Sequence, residues 1–108
     1  VNVLVIGSAT TTRRQVRAVL DQCWATWGAF HVGTAGAWDV EDAASRWAAT
    51  RGAKWWPREL IPGHWLDWAD VLVAFDAAHS PRTREACDRM RRQGKPIHEY
   101  GAKETEHD

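Results

Sequence analysis

This 108-residue sequence lacks most marks of a specialised protein class. No apolar run approaches the roughly 18–20 residues that a membrane span needs, so no membrane partner is expected. Charge of neither sign dominates. Its 14 basic and 14 acidic residues give a formal net charge of +0, which argues against a dedicated nucleic-acid or membrane-surface binder. Only two cysteines occur, Cys23 and Cys87. Both fall on apolar faces of predicted helices and read as reduced core thiols of a cytoplasmic protein rather than as a disulfide. No signal peptide precedes the first predicted strand, which points to the same compartment. The five histidines (His31, His64, His79, His98 and His107) show no HxH or HExxH spacing, so no metal is expected. With both thiols on buried faces, no Ser-His-Asp or Cys-His set can be argued either. Internal repeats and low-complexity segments are missing as well.

Phenylalanine and tyrosine are scarce, at two and one, against eight tryptophans. Tryptophan is large and rarely fully buried. So many in a chain of this length place some of them at a subunit interface or a ligand pocket. The length itself fits one domain over residues 1–100, followed by a polar tail over 101–108.

The chain opens on an apolar run, Val1 to Ile6, followed directly by Gly7-Ser8-Ala9-Thr10-Thr11-Thr12. Thr12 and Gln15 have the form of a capping box, and a helix is expected from Arg13. Val16, Val19, Leu20, Cys23 and Trp27 then recur at helical spacing as one buried stripe, ended by Gly28 as a left-handed cap. A second strand is expected over 29–33, then a small-residue turn over 34–37. Asp39 reads as the N-cap of a helix whose buried stripe is Val40, Ala43, Ala44, Trp47 and Ala48. A short strand over 53–56 stops at Pro57. Between 58 and 69, Pro62 and Gly63 leave room for at most a turn or two of helix around His64 to Trp68. A strand buried on both faces follows over 70–75, and a loop over 76–79. Ser80-Pro81 is an N-cap with proline at the first helical position, opening a helix to about Gln93 with Gly94 as its cap. A last strand is expected over 96–100.

Strands alternating with helices imply a parallel sheet with helices on both faces, and the fold expected is a three-layer α/β/α Rossmann-like sandwich whose five-stranded parallel sheet is ordered 3-2-1-4-5. Ligands bind such sheets outside the carboxyl ends of the strands, where the strand order reverses. A hydroxyl-rich turn leading into a helix N-terminus makes an anion pocket there, which puts a phosphate or nucleotide first among ligands. The spacing is neither GxGxxG nor GxxxxGK[ST].

The succession strand-Gly-Ser, helix, His/Gly strand, then "GA(W)D…AA.RWA..RG", "ADVLVAF" and "S..T…C.R.R..GKPI" resembles the SLOG superfamily of Rossmann-like domains, named for DprA-type and LOG-type proteins. Most similar is its small stand-alone YspA-related branch, of unknown function and common in actinobacteria and their phages. The likeness spans about residues 3–100. It implies binding of a nucleotide or nucleotide-derived ligand at the carboxyl edge of the sheet. Gly7, Ser8, Ala9 and Thr10 would line the first turn, and Gly33, Thr34 and Gly36 the second. Ser80, Arg82 and Thr83 would form the phosphate-binding turn after strand four, with Asp39 completing the pocket. Several family positions depart. The arginine after Gly-Ser is Ala9, and the family's Gly-Thr is Arg82-Thr83, where a side chain blocks backbone approach to a phosphate. The Arg-Asn pair usual between strands three and four is missing, and so is the LOG catalytic pattern. These departures argue against retained catalysis.

Candidate chemistry is therefore limited. Asp39 and Glu41 could grip a ribose or act as general base, although N-capping and dipole complementarity account for both. Asp76, at the end of strand four, is a further ligand candidate. His31 and His79 are placed where they could face the crevice. Arg82, Arg84, Arg89, Arg91, Arg92 and Lys95 give the last helix a basic character. Glu85 and Asp88 interrupt it, so a solvated face explains it better than a nucleic-acid stripe. Trp55 and Trp56 point to opposite strand faces, and Trp65 and Trp68 share one helical face. These four are read as a homo-oligomer patch. Three functions follow: a non-enzymatic nucleotide-binding or sensing module, a LOG-type nucleoside-phosphate hydrolase or glycosyltransferase, and a degenerate, inactive assembly protein. No cofactor is required beyond a nucleotide ligand. A pocket closed by Arg82 and Trp38 would favour the third.

Overall fold

The computed structural model describes residues 1–101. It is an α/β sandwich on a five-stranded, all-parallel sheet ordered β3-β2-β1-β4-β5. The elements are β1 (Asn2–Gly7), α1 (Arg13–Trp27), β2 (His31–Gly36), α2 (Trp38–Arg51), β3 (Trp55–Pro57), α3 (Trp65–Trp68), β4 (Val71–Phe75), α4 (Pro81–Arg92) and β5 (Ile97–Tyr100). Single 3-10 turns occupy Arg58–Leu60 and Ala77–His79. The expected polar tail lies, apart from Gly101, outside the described residues.

Strand alternation builds the two cores. Val3 and Val5 of β1 face one side with Val32 and Val73, and α1 and α2 cover them through Val16, Val19, Leu20, Val40, Ala44 and Trp47. Leu4 and Ile6 face the other side with Leu72 and Ala74, under Leu66 of α3 and Ala86, Cys87 and Met90 of α4. Trp55 packs toward the first core and Trp56 toward the second, as strand alternation requires. The capping box at the start of α1 forms: the Thr12 hydroxyl accepts from the Gln15 amide, and Gln15 Oε1 accepts from the Thr12 amide. Ser80 caps α4 with Pro81 at its first position.

Several boundaries differ from expectation. β2 runs from His31 to Gly36, so Gly33-Thr34-Ala35-Gly36 is strand and not turn. The small side chains there answer to packing: a Cβ on Gly33 would sit 2.7 Å from the Trp68 ring. Pro57 belongs to β3, which is an edge strand where proline is tolerated. Ala37, not Asp39, holds the N-cap position of α2, and Asp39 lies within the first helical turn. Gly28 has φ 79° and ψ −163°, outside the left-handed helical region expected of it. Trp27 is 36 % exposed and leans on His98 at 4.9 Å rather than joining the buried stripe.

Candidate functional site

The strand order reverses between β1 and β4, so the crevice opens where Ser8 leaves β1 and Asp76 leaves β4. Asp76 is the only non-glycine residue with positive φ among the described residues, at φ 57° and ψ 41°. Aspartate tolerates this conformation better than most side chains, and strain of this kind gathers at functional sites. Its backbone amide closes the sheet onto the Tyr100 carbonyl at 2.8 Å.

The Asp76 side chain is only 5 % exposed, and three side chains converge on it. Thr10 Oγ1 donates to Oδ2 through a short bond, and Ser8 Oγ lies 3.4 Å from the same oxygen. Ser8 Oγ and Thr10 Oγ1 are 2.7 Å apart. His79 Nδ1 meets Oδ1 at 2.8 Å. The hydrogen bond from Thr10, then that from His79, hold the Asp76 carboxyl below the usual range against the opposing effect of burial. The His79 side chain remains 79 % exposed, and its Nε2 has no partner among the described residues. A buried carboxylate that orients an exposed imidazole leaves that ring free to act on a ligand as donor, acceptor or cation. Arg84 fixes the turn beneath it, donating to the carbonyls of Ala77 at 3.5 Å and Ala78 at 3.2 Å.

The first turn holds its own shape. The Ser8 amide donates to Thr11 Oγ1, the Thr10 amide to Ser8 Oγ, and the Thr11 amide to the Ser8 carbonyl. Three N–H groups that a phosphate cradle would offer are thus already used. Ala9 and Thr10 are exposed at the rim. Gly7 is small for packing, since a Cβ would meet Thr11 Oγ1 at 2.7 Å and Val40 at 2.9 Å. Gly33 and Thr34 lie buried within β2 and do not join this crevice. Thr34 Oγ1 instead accepts from Trp55 Nε1 at 3.0 Å. Gly36 does reach the strand end, directly against Gly7.

At α4, Ser80 Oγ accepts from the Thr83 amide and lies 3.0 Å from Thr83 Oγ1, so the buried Thr83 serves the cap. The exposed Arg82 lines a groove between α3 and α4 instead of the crevice, because its helical face turns toward α3. Trp38 is 70 % exposed at the start of α2.

The carboxylates of α2 are differently placed. Asp39 is taken up by Arg13, whose Nη2 lies 3.1 Å away, and Arg13 also reaches Asp42 at 3.0 Å. Glu41 is half-buried, and its carboxyl is raised by burial and by Glu59, with Arg58 opposing. His31 is exposed at the amino end of β2, away from the crevice. No group of three or more His, Cys, Asp and Glu that could hold a metal occurs among the described residues.

The Asp76 cluster makes a pH prediction. A carboxylate held below its unfolded value of about 3.9 adds stability that is complete above that pH. The stability is lost as pH falls through the folded value. Asp76→Asn should cost about 2 kcal/mol at neutral pH by weakening bonds to a charged acceptor. It should also flatten the acid limb of the stability curve. Urea midpoints between pH 5 and pH 2.5 that fall equally in both proteins would contradict this.

The Asp76–His79 pair is the feature that sequence reading leaves unassembled. Asp-x-x-His is visible as a spacing, but Thr10 and Ser8 join it from 66 and 68 residues away.

Fold and site together define the protein's class as a Rossmann-like α/β domain with a polar cluster at the strand-order reversal. Comparison with protein-family models, with curated proteins and with solved structures finds no match in any of the three.

Proposed function

We propose that the chain binds or senses a nucleotide or nucleotide-derived ligand over the β1–β4 crevice, without turnover. The ligand's phosphate lies between the Ser8–Thr10 turn and Ser80, and His79 Nε2 meets it. What supports this reading is Asp76: a buried carboxylate in a strained conformation, holding an exposed imidazole at the place where such sheets take ligands. Gly36 and the Arg13–Asp39 pair border the crevice on the β2 side. In this reading His79 offers the phosphate a ring N–H donor where the resembling family has an arginine and this chain has Ala9.

The test is a thermal-shift panel of nucleotides, with and without magnesium. A ligand at about 100 times its Kd stabilises a fold by roughly 2.7 kcal/mol, a shift of several degrees for a domain of this size. His79→Ala should remove most of that shift, read against its own unliganded midpoint, which falls with the lost bond to Asp76. A hit that His79→Ala and Ser8→Ala both leave intact would place the ligand elsewhere. Silence across the panel would favour the inactive, assembly-type protein.

A second reading, LOG-type nucleoside-phosphate hydrolysis or glycosyl transfer, needs Asp39 or Glu41 as general base. Asp39 is paired with Arg13, and burial raises the Glu41 carboxyl toward the range a base needs. Release of free base from nucleoside monophosphates, abolished in Glu41→Gln, would establish it. Self-association goes with the binding module: Trp55, Trp56, Trp65 and Trp68 each keep part of their surface open. No helix among the described residues is long and apolar enough to cross a membrane. The cytoplasm suits the two buried, unpaired thiols, of which Cys87 is pushed up to about 11 chiefly by burial.

A further inference from the structure

The four-residue α3 leaves one flank of α4 without a full helical neighbour, and a groove of about 320 Å³ opens there. Trp65, Leu66 and Ala86 give it an apolar floor, and Arg82, Arg89 and Arg92 line it from α4. Three guanidinium groups face one opposing carboxylate in this lining, that of Glu85. Arg82 and Arg92 have no ion-pair partner among the described residues. Arg89 reaches Asp67 only at 3.9 Å, and Asp67 already accepts from Gln93 Nε2 at 2.8 Å.

A second observation concerns the His64 ring, which stacks on Trp65 at 5.8 Å and 15°. Its Nδ1 accepts the Leu66 amide at 3.2 Å, so that nitrogen carries no proton. The ring proton of the neutral imidazole then sits on Nε2. Arg89 Nη1 faces this Nε2 at 3.3 Å. Two N–H donors therefore meet with no acceptor between them. An oxygen carrying negative charge would satisfy both, and Arg92, one helical turn beyond Arg89 in the same lining, stands nearest to its neighbouring oxygens.

We infer that the α3–α4 groove is a binding site for an oxyanion carried on an aromatic body, a phosphate monoester on a flat ring. His64 Nε2 and Arg89 take the anion while the ring lies over Trp65 and Ala86. This site is separate from the β1–β4 crevice and does not depend on its occupancy.

Inorganic phosphate and phenyl phosphate are the probes, followed by the indole N–H resonances of the 15N-labelled protein. Phenyl phosphate should move the Trp65 resonance and bind about tenfold more tightly than phosphate, through burial of its ring. Arg89→Met should weaken phenyl phosphate about tenfold or more. His64→Ser, which keeps a capping oxygen but removes the ring donor, should weaken it as well. His79→Ala should leave its affinity unchanged, which separates this site from the crevice. The inference is overturned if the Trp65 resonance does not move, if the two probes bind equally, or if Arg89→Met keeps full affinity.

Discussion

Gly36→Ala is expected to remove about 3–5 kcal/mol of stability, most of what a small domain has to spare. Two effects add. Gly36 has φ 104°, which L side chains rarely adopt. A Cβ there would also lie 2.3 Å from the Gly7 carbonyl oxygen, a backbone atom that cannot swing aside. Gly7 is itself confined between Thr11 and Val40, so the ends of β1 and β2 would have to part. The thermal midpoint should fall by well over about 10 °C. Gly52→Ala is the control. Its φ of 70° is also positive, but open space surrounds it, so the loss there should be about 1–2 kcal/mol. Equal losses at both positions would show that the close approach of the two strands does not matter.

Trp47→Ala should cost about 3–5 kcal/mol, the range for deleting a buried large aromatic. Trp47 is 4 % exposed, stacked on Phe30 at 5.7 Å and edge-on to Trp24 at 5.5 Å. Its Nε1 donates to Asp21 at 2.8 Å, and Arg51 lies over the ring at 5.8 Å while also bonding to Asp21. Trp47→Phe separates the two contributions, since it keeps most of the packing and loses the donor. The Trp47 bond is the first cause holding the Asp21 carboxyl low, ahead of Arg51 and against burial. In Trp47→Phe that carboxyl should therefore titrate at higher pH, which carboxyl-carbon NMR would follow. A similar loss of midpoint for Phe and Ala would place the stability in the hydrogen bond instead of the rings.

These positions show what is legible in a sequence and what is not. Thr12 with Gln15 and Ser80 with Pro81 declare helix starts because their bonds are local, within three residues. Apolar runs such as Val71 to Phe75 declare buried strands through a pattern that is equally local in sequence. Gly33 to Gly36 misleads, because local preference reads small residues as a turn. Only Trp68 and Gly7, brought in by the fold, explain their size. Asp76 is visible as a strand end, but its partners Ser8 and Thr10 arrive from the other strand of the crevice. Arg82 belongs by sequence to a helix start, and the brevity of α3 leaves open the groove that its helical face lines.

That brevity also divides the molecule mechanically. On one side of the sheet, helices of 15 and 14 residues clasp each other through Trp24, Phe30 and Trp47. On the other, α4 stands beside a single helical turn, and the edge strand β3 pairs over only three residues. Local opening begins where few buried groups and backbone bonds must be given up together. The segment from Trp55 to Asp70 buries Ile61, Leu66 and Ala69 but pairs with the sheet over three residues only, so it should open before β1, β2 and β4 part. Opening is thus expected first beside α4, where the groove lies.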